Sequence, residues 1–327
     1  MIDDRVLRRS KILLLEPIHD DGIRVLREFG NPSLAQIPKE PDVLRELEDI
    51  NCIITRLSKV TATMIDAAPH LQVIARHGVG YDNIDVEYAT KRGIPVVFAP
   101  EAISLSVAEY TVGMILALNR KMVVADSAAR LGAWKKRYRE LVGTDLRGKT
   151  VGLIGLGRIG GYVAKRLHAF QVNLTYYDVI SNNELERAIG IRRVPLDDLL
   201  KDSDIITLHV PLTEQTRHMI GRREINLMKE TAILVNTSRG PIIDEVALTE
   251  SIQSQKIAGA ALDVYENEPL ETTNPLVQLH NVILSPHMSG HTVEALRATA
   301  VQVAEEVKAV VSGRRPRYIA NPEVLKS

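Results

Sequence analysis

A glycine-rich turn between an apolar segment and a helical pattern constrains the fold of this chain more than any other feature. Gly155, Gly157 and Gly160 have the spacing G-x-G-x-x-G, directly after the apolar residues 151–154 and before the helical pattern 162–170. The first glycine permits a tight turn, the second lets the backbone approach a diphosphate, and the third lets a helix pack closely on a strand. The turn therefore predicts a βαβ unit that binds a dinucleotide.

The residue that follows the next predicted strand supports this interpretation. Residues 173–177 are the next predicted strand, and Asp178 follows it directly. A carboxylate at this place can accept hydrogen bonds from the adenosine ribose and repel a 2′-phosphate. We therefore predict that Asp178 binds NAD rather than NADP.

Short apolar segments alternate with helical patterns in two successive parts of the chain, on either side of a polar segment without periodicity, 132–149. Such alternation is typical of parallel sheets with helices on both faces. The predicted strands are 11–15, 52–55, 72–75 and 94–98 in the first part, and 151–154, 173–177, 205–209, 232–235, 258–262 and 282–284 in the second. The predicted helices of the first part are 20–29, 41–48, 61–68 and 85–92, and a long helix is predicted over 104–131.

The last helical pattern, 292–312, has no strand to connect to in the second part. If it returns to pack on the first part, the first domain is discontinuous. We therefore predict one domain from residues 1–100 and 291–327, and a second domain from residues 101–290.

Charge and cysteine content argue against several classes of protein. Lys plus Arg and Asp plus Glu both number 41, so the chain lacks the basic excess that is usual in nucleic-acid-binding proteins. The single cysteine, Cys52, cannot form an intramolecular disulfide or a multi-cysteine metal site, and no metal is predicted. No segment approaches the ~20 apolar residues of a membrane span, and no signal peptide is recognisable. We expect a cytoplasmic protein that binds neither nucleic acid nor membrane.

Three later strands of the second part are each followed by a residue suited to carbonyl chemistry. Arg239 follows strand 232–235, Glu268 follows strand 258–262, and His287 follows strand 282–284. Because parallel strands end at one edge of a sheet, all three are predicted beside the dinucleotide. A guanidinium can hold a carboxylate, and an imidazolium with a carboxylate neighbour can protonate a carbonyl oxygen. Taken singly, each residue could instead be a helix cap or a solvated charge.

A second glycine-containing turn lies in the first part of the chain. Strand 72–75 is followed by Arg76, His77, Gly78, Val79 and Gly80. Two glycines at a strand end can expose successive backbone N–H groups as an anion-binding site. A plain turn is the alternative.

Together these segments resemble the D-isomer-specific 2-hydroxyacid dehydrogenases, over nearly the whole chain. The matching segments are residues 76–85, 107–109, 155–160, 209–213, 236–240, 261–264 with 268–269, 285–287 and 321–325. The resemblance implies two doubly wound α/β domains, a flavodoxin-like substrate domain built from both chain ends and a Rossmann NAD-binding domain between them. It also implies a homodimer, formed through the apolar helix that starts near Ser104.

The resemblance further implies roles for individual residues. His287 would be the catalytic acid and base, Glu268 its partner, and Arg239 the ligand of the substrate carboxylate. The turn Gly78, Val79 and Gly80 would offer N–H groups to that carboxylate. The implied NAD contacts are Gly155, Gly157, Arg158, Ile159, Gly160, Asp178, Val210, Pro211, Thr237, Ser238, Asp263 and Gly290, with Asp263 on the nicotinamide carboxamide.

The substrate class implied is a 2-keto acid. A phosphorylated substrate would need a second anion site, for which Arg56 and Arg76 are candidates, whereas Ile103 replaces the asparagine that is usual in the family. We favour glyoxylate or hydroxypyruvate, with D-3-phosphoglycerate dehydrogenase as the alternative enzyme. Because no further domain follows residue 327, feedback regulation through one is not expected. Two further hypotheses share the same fold, namely an NAD-sensing corepressor and a dehydrogenase of formate or phosphite.

Overall fold

The computed structural model describes residues 10–37 and 39–326. The chain forms two compact units, one from Met1–Ile103 with His291–Ser327 and the other from Ser104–Gly290. Each unit contains one sheet, and every strand pair in both sheets is parallel. The predicted fold class, two α/β domains with parallel sheets, is confirmed.

The first unit has five strands in the order β2-β1-β3-β4-β5, which is the flavodoxin-like order. Its strands are β1 (Ser10–Leu14), β2 (Gly30–Leu34), β3 (Cys52–Thr55), β4 (Val73–Arg76) and β5 (Val96–Phe98). Its helices are α1 (Asp20–Arg27), α2 (Ala62–Asp66), α3 (Val86–Lys91) and a C-terminal helix (Val293–Val311), with 3-10 turns at Asp42–Glu46 and Pro322–Lys326.

Alternate residues of each strand face opposite sides of this sheet, and each side has its own apolar core. On one side Ile12 of β1 packs in a cluster with Val303 and Val307 of the C-terminal helix. On the other side Leu13 packs in a cluster with Met64 of α2 and the residues around α3. Burial on both faces explains why an inner strand such as β3 is a continuous apolar run in the sequence.

The C-terminal helix belongs to the first unit and packs closely on α1. A Cβ atom on Gly22 of α1 would lie 2.6 Å from the Cβ of Ala300, so glycine is required at this crossing. The Thr292 side chain caps the helix by accepting the N–H of Ala295 at 3.0 Å.

Strand β2 is absent from the sequence-based prediction. Its residues Gly30–Leu34 show no apolar alternation and include Pro32. The strand lies at the sheet edge and pairs with β1 alone, where a proline and polar side chains are tolerated. The helix predicted over 41–48 is the shorter 3-10 turn Asp42–Glu46.

The second unit has seven strands in the order β12-β11-β10-β9-β6-β7-β8, the Rossmann order extended by one strand. Its strands are β6 (Thr150–Ile154), β7 (Asn173–Tyr177), β8 (Arg192–Arg193), β9 (Ile205–Leu208), β10 (Ile233–Asn236), β11 (Gly259–Leu262) and β12 (Val282–Leu284). Its helices are α4 (Ser104–Asn119), α5 (Met122–Arg130), α6 (Arg158–His168), α7 (Asn183–Ile189), α8 (Leu196–Asp202), α9 (Arg222–Leu227) and α10 (Glu245–Gln253). The 3-10 turns are Trp134–Tyr138, Gly240–Ile242 and Pro275–Gln278.

Two apolar cores cover the two faces of the second sheet. Ile205 of β9 lies in the core formed with α4 and α6. Its neighbour Ile206 lies in the core formed with α8, α9 and α10. The short strand β8, which the sequence analysis also misses, is two exposed arginines at the sheet edge and contributes to neither core.

The prediction of one long helix over residues 104–131 is wrong, because the chain forms α4 and α5 with a break between them. Lys121 adopts the left-handed conformation with φ of 52°. The carbonyl oxygen of Asn119 accepts the N–H of Thr144 at 3.0 Å, so it does not continue the helix. The returning segment therefore ends α4. Among the described helices, none has both the length and the apolar character needed to cross a membrane.

Candidate active site

Two glycines of the turn after β6 are required by the packing of the protein itself. Gly155 has φ of 94°, and a Cβ there would lie 2.7 Å from the carbonyl group of His209. A Cβ on Gly160 would lie 2.2 Å from the carbonyl oxygen of Gly155. Any side chain at either position would therefore displace the backbone.

The middle glycine of the turn is different. Gly157 precedes α6, and a Cβ on it would have no described atom within 4 Å. Arg158, the first residue of α6, is exposed, and Ile159 is half-buried. An exposed glycine at a helix N-terminus leaves room for a diphosphate and directs N–H groups toward it. The residues present therefore fit a dinucleotide.

Asp178 is connected to this same turn. Its Oδ2 accepts the N–H of Leu156 at 2.7 Å, and its Oδ1 accepts the N–H of Ile180 at 3.1 Å. Arg193 donates to the carbonyl oxygen of Asp178 at 2.7 Å and not to its carboxylate. The half-buried carboxylate of Asp178 is thus hydrogen bonded to the glycine turn.

The segments after β9 and β10 are linked side by side. Ser238 donates its hydroxyl hydrogen to the carbonyl oxygen of Val210, which precedes the exposed Pro211. The hydroxyl groups of Thr237 and Thr111 lie 2.8 Å apart. The first contact joins the two segments, and the second joins the segment after β10 to α4.

Arg239 follows a tight turn at the end of β10. Asn236 accepts the N–H of Ser238 at 3.0 Å and donates to the carbonyl oxygen of Arg239 at 2.8 Å. The half-buried Arg239 side chain donates to the carbonyl oxygen of Ser238 at 2.8 Å. The turn therefore fixes the backbone from which this guanidinium extends.

His287 and Glu268 form a hydrogen-bonded pair. Nδ1 of His287 lies 2.7 Å from Oε2 of Glu268, and the two side chains are 27% and 32% exposed. Oε1 of Glu268 accepts the N–H of Tyr265 at 3.1 Å. The contact at Nδ1 leaves Nε2 as the ring nitrogen that can meet a substrate.

The environment keeps Glu268 ionised. Burial raises the pKa of this carboxyl, but the hydrogen bond and charge of His287, the N–H of Tyr265 and the charge of Arg239 together hold it below its ordinary value. An ionised carboxylate at Nδ1 orients the ring and stabilises positive charge that develops on it. The pair can therefore hold a proton for transfer from Nε2.

Asp263 is the fully buried centre of the segment that carries His287. Its Oδ1 accepts the Ser285 hydroxyl at 2.6 Å and the Met288 N–H at 2.8 Å. Its Oδ2 accepts the Ser289 N–H at 2.8 Å, and its carbonyl oxygen accepts the His287 N–H at 2.8 Å. These bonds hold His287 in a left-handed conformation with φ of 50°, which is strained for a residue with a side chain. The second unit ends just beyond this segment, at the half-buried Gly290.

Thus Arg239, Glu268 and His287 come from the ends of β10, β11 and β12, which are neighbours in the sheet. The structure brings the last two into contact, and Arg239 lies near enough for its charge to lower the pKa of Glu268. Asp263 contacts the His287 segment, a role that the sequence analysis does not predict because it depends on backbone N–H groups.

In the first unit, the turn after β4 presents backbone N–H groups. Gly78 has φ of 147°, and its carbonyl oxygen accepts the N–H of Ala99 at 3.0 Å. Across the described part of the chain, no hydrogen bond is donated by the N–H of Val79 or Gly80. The turn therefore has two N–H groups available to an anion.

The two predicted phosphate ligands of the first unit both have contacts within the chain. Arg56 donates to the carbonyl oxygen of Pro17 at 3.1 Å and lies 3.0 Å from Nε2 of His291. Arg76 is 7% exposed and donates to the carbonyl oxygen of His77. Burial and the nearby arginines lower the pKa of His77 to about 3, so this ring is neutral.

The sequence analysis does not identify a second histidine–carboxylate pair, His218 and Glu266, whose Nε2 and Oε1 atoms are hydrogen bonded. His218 lies well beyond the end of β9, so strand-end position does not mark it. The one indication in the sequence is a polar histidine directly before the apolar residues Met219 and Ile220.

The chain is similar to known proteins along most of its length. A family model described as "D-isomer specific 2-hydroxyacid dehydrogenase, NAD binding domain" matches residues 112–289. The chain is 42% identical over 328 residues to a glyoxylate reductase of Thermofilum pendens, covering 98% of this chain and 97% of that protein. It is 46% identical over 314 residues to a D-3-phosphoglycerate dehydrogenase of Methanocaldococcus jannaschii, covering 95% of this chain and 59% of that protein.

A solved structure is also similar along nearly the whole chain. It is the NADPH-dependent glyoxylate/hydroxypyruvate reductase of Sinorhizobium meliloti in complex with NADP and malonate, with a TM-score of 0.86 and 31% identity. The similarity covers 95% of this chain and 97% of that chain. Because the family model describes an NAD-binding domain, the cofactor is a nicotinamide dinucleotide. The chain belongs to the family of D-isomer specific 2-hydroxyacid dehydrogenases.

Proposed function

We propose that this enzyme reduces small unphosphorylated 2-keto acids, such as glyoxylate or hydroxypyruvate, to D-2-hydroxy acids with NADH. The observation that carries the proposal is the His287–Glu268 pair, with its 2.7 Å hydrogen bond, in the unit that matches the NAD-binding family model. Arg239 at the end of the neighbouring strand supplies the cation that a keto acid needs.

In this proposal each of the three side chains has one task. Nε2 of His287 gives its proton to the carbonyl oxygen, which becomes the hydroxyl group of the product. Glu268 stays ionised and stabilises the imidazolium until that transfer. Arg239 holds the substrate carboxylate through its planar pair of N–H groups. The bound nicotinamide supplies the hydride that reduces the carbonyl carbon. In the reverse direction His287 accepts the hydroxyl proton.

The residues around the cofactor have separate tasks. The glycine turn with Arg158 and Ile159 holds the diphosphate, and Asp178 holds the ribose. The remaining proposed cofactor contacts are Val210, Pro211, Thr237, Ser238 and Gly290. That Asp263 contacts the nicotinamide carboxamide stays a prediction. Its buried hydrogen bonds also support a positioning role, because they order the segment that carries His287.

The first unit is proposed to be the substrate domain, with Val79 and Gly80 as N–H donors to an anionic group. Two observations support an unphosphorylated substrate. Arg56 is engaged by Pro17 and His291, and Arg76 is buried against the His77 carbonyl, so neither cation is poised for a phosphate. The full-length similarity to a glyoxylate reductase points the same way.

Phosphoglycerate dehydrogenase activity is the second candidate, favoured by the 46% identity to such an enzyme. The test compares hydroxypyruvate with 3-phosphohydroxypyruvate as substrates at equal NADH. We expect the higher kcat/KM for hydroxypyruvate. A kcat/KM at least tenfold higher for the phosphorylated form, about 1.4 kcal/mol of extra transition-state binding, would establish the second candidate instead.

We also propose a homodimer, but through a different surface from the one that the sequence suggests. The apolar residues of α4 were expected at the interface, but Val107, Val112, Met114 and Ile115 are buried within their own unit. The other two, Leu116 and Leu118, are partly buried against the same core. Large apolar side chains are instead exposed on α5 and just after it: Met122, Val123, Leu131, Trp134, Tyr138 and Val142. Such a patch supports an interface with a second copy.

Light scattering at micromolar concentration tests the dimer. We expect the mass of two chains for the parent and a lower mass for Leu131→Glu. A monomeric parent would contradict the proposal. A cytoplasmic location stays a prediction.

A further inference from the structure

The pair His218 and Glu266 has no part in the proton transfer proposed above. Its side chains are 47% and 26% exposed, and Nε2 of His218 is hydrogen bonded to Oε1 of Glu266. His218 has φ of 51°, a left-handed conformation that is unfavourable for a residue with a side chain. A strained backbone that is held by a side-chain pair points to a positioning task.

The backbone next to Arg239 contacts both segments that this pair connects. The N–H of His218 donates to the carbonyl oxygen of Pro241 at 2.8 Å. Gly240 lies against the segment of Glu266, because a Cβ on Gly240 would lie 1.9 Å from the carbonyl group of Tyr265. Residues 240 and 241 therefore contact both segments that the side-chain pair joins, namely the segment of His218 and the segment of Glu266.

The segment of Glu266 is fixed from a third direction. Its N–H donates to Oε2 of Glu245 at 3.1 Å, and Oε1 of Glu245 accepts Nδ2 of Asn274 at 2.7 Å. The same short segment carries Glu268, the partner of His287. Holding Glu266 in place thus keeps the segments of Arg239 and Glu268 in a fixed relative position.

We propose that the His218–Glu266 pair positions Arg239 relative to Glu268 and His287, and so sets the affinity for the substrate carboxylate. The proposal rests on the proposed function, in which Arg239 binds that carboxylate. The pair itself touches neither His287 nor the glycine turn in the hydrogen bonds described. Its loss should therefore act on keto-acid binding and leave NADH binding unchanged.

The test uses His218→Gln and Glu266→Gln in the full chain. Each replaces one ionisable partner of the pair with a neutral polar side chain of similar size. We expect KM for the keto acid to rise on the order of tenfold, as loss of positioning does, with kcat lowered by less. The Kd for NADH stays within about twofold of the parent. Glu250→Gln, which breaks the exposed Arg222–Glu250 pair of the same unit, is the matched control and keeps parental kinetics.

A double-mutant cycle distinguishes positioning of Arg239 from a general loss of structure. In the Arg239→Lys background, the second substitution His218→Gln should cause little further loss of kcat/KM, because the side chain being positioned is already altered. The proposal would be overturned if the fold-losses of kcat/KM in the two single variants multiplied in the double variant. It would also be overturned if both His218→Gln and Glu266→Gln kept the parental KM. Loss of NADH binding in both of these variants would overturn it as well, since that indicates a structural role only. If the parent itself reduces no 2-keto acid, it is the proposed function that fails, and this is known before any variant is made.

Discussion

Nδ1 of His287 lies 2.7 Å from Oε2 of Glu268, and this contact determines which ring nitrogen is available for chemistry. The carboxylate fixes the orientation of the ring, while the hydrogen bond from the His287 N–H to the carbonyl oxygen of Asp263, at 2.8 Å, fixes the backbone. His287 is thus held at its backbone and at Nδ1, and Nε2 remains the ring nitrogen that can deliver a proton from a fixed position.

The substitution His287→Ala removes the proton donor. We expect kcat for keto-acid reduction to fall by on the order of 10²–10⁴, the usual contribution of general acid catalysis. NADH affinity should stay close to that of the parent, because the glycine turn is untouched. Steady-state kinetics and a fluorescence titration with NADH measure the two effects. The exposed His280 gives the control variant His280→Ala, which should keep parental kcat. Equal rates in His287→Ala and the control would remove His287 from the mechanism.

The substitution Glu268→Gln tests the ionised carboxylate through pH. Because the pKa of Glu268 is held below its ordinary value in the folded protein, its charge stabilises the fold above about pH 4.3, and this contribution is lost as pH falls through the lowered pKa. The variant should therefore show a flatter decline in unfolding free energy between about pH 5 and 3.

The same variant also changes the kinetics. Without the negative charge, positive charge on the ring during proton transfer is less stabilised, so the rate of keto-acid reduction falls. Urea unfolding and initial rates measured across pH check both effects. Parallel stability curves and superimposable rate profiles for the variant and the parent would argue against the assigned role.

The substitution Arg239→Lys is not conservative in this account. An ammonium cannot form the planar pair of hydrogen bonds with a carboxylate. We expect kcat/KM for the keto acid to fall by the equivalent of roughly 2–5 kcal/mol, the range for breaking one partner of a desolvated charge pair. Arg222→Lys, on the exposed surface of the same unit, is the control. A variant within about twofold of the parent would show that Arg239 does not bind the substrate.

The carboxylate of Asp178 should select NADH. A charge about 4 Å from a 2′-phosphate costs about 4 kcal/mol per unit charge at an effective dielectric of 20, before motion and solvent reduce it. We expect kcat/KM to favour NADH over NADPH on the order of a hundredfold, and Asp178→Asn to narrow that ratio. Asparagine keeps the acceptor for the Leu156 N–H, so the glycine turn is preserved. Equal efficiency with both cofactors in the parent would contradict the role.

Two glycine substitutions separate packing from cofactor binding. Gly157→Ala places a Cβ in open space, so we expect an unchanged melting temperature without cofactor and a weaker Kd for NADH. Gly160→Ala would bring a Cβ within 2.2 Å of the Gly155 carbonyl oxygen, so it should lower the melting temperature itself. Thermal unfolding and NADH titration of both variants provide the comparison. Undiminished NADH affinity in Gly157→Ala would place the diphosphate elsewhere.

The buried strands and the glycine turn could be predicted because their signals are local. An apolar run such as Cys52–Thr55 is buried on both faces, and its composition alone identifies it. The edge strand Gly30–Leu34 could not be identified, since an exposed edge does not select apolar residues. The break between α4 and α5 depends on Thr144, far along the chain, which no local pattern reports.

Within the site, residues at strand ends were predictable and their contacts were not. His287 and Glu268 each follow a strand, so the sheet topology brings them to one edge. The hydrogen bonds of Asp263 to backbone N–H groups depend on the path of a single loop. The His218–Glu266 pair depends on a left-handed residue in a long connection, and its positive φ cannot be read from a histidine.

The central claim is tested most directly by NADH oxidation with a panel of 2-keto acids, followed in the parent and in His287→Ala at the same protein concentration. We expect the parent to oxidise NADH with glyoxylate or hydroxypyruvate, at a rate on the order of 10²–10⁴ times that of the variant. A parent that binds NADH but oxidises it with no 2-keto acid would contradict the central claim, as would a variant that is as fast as the parent.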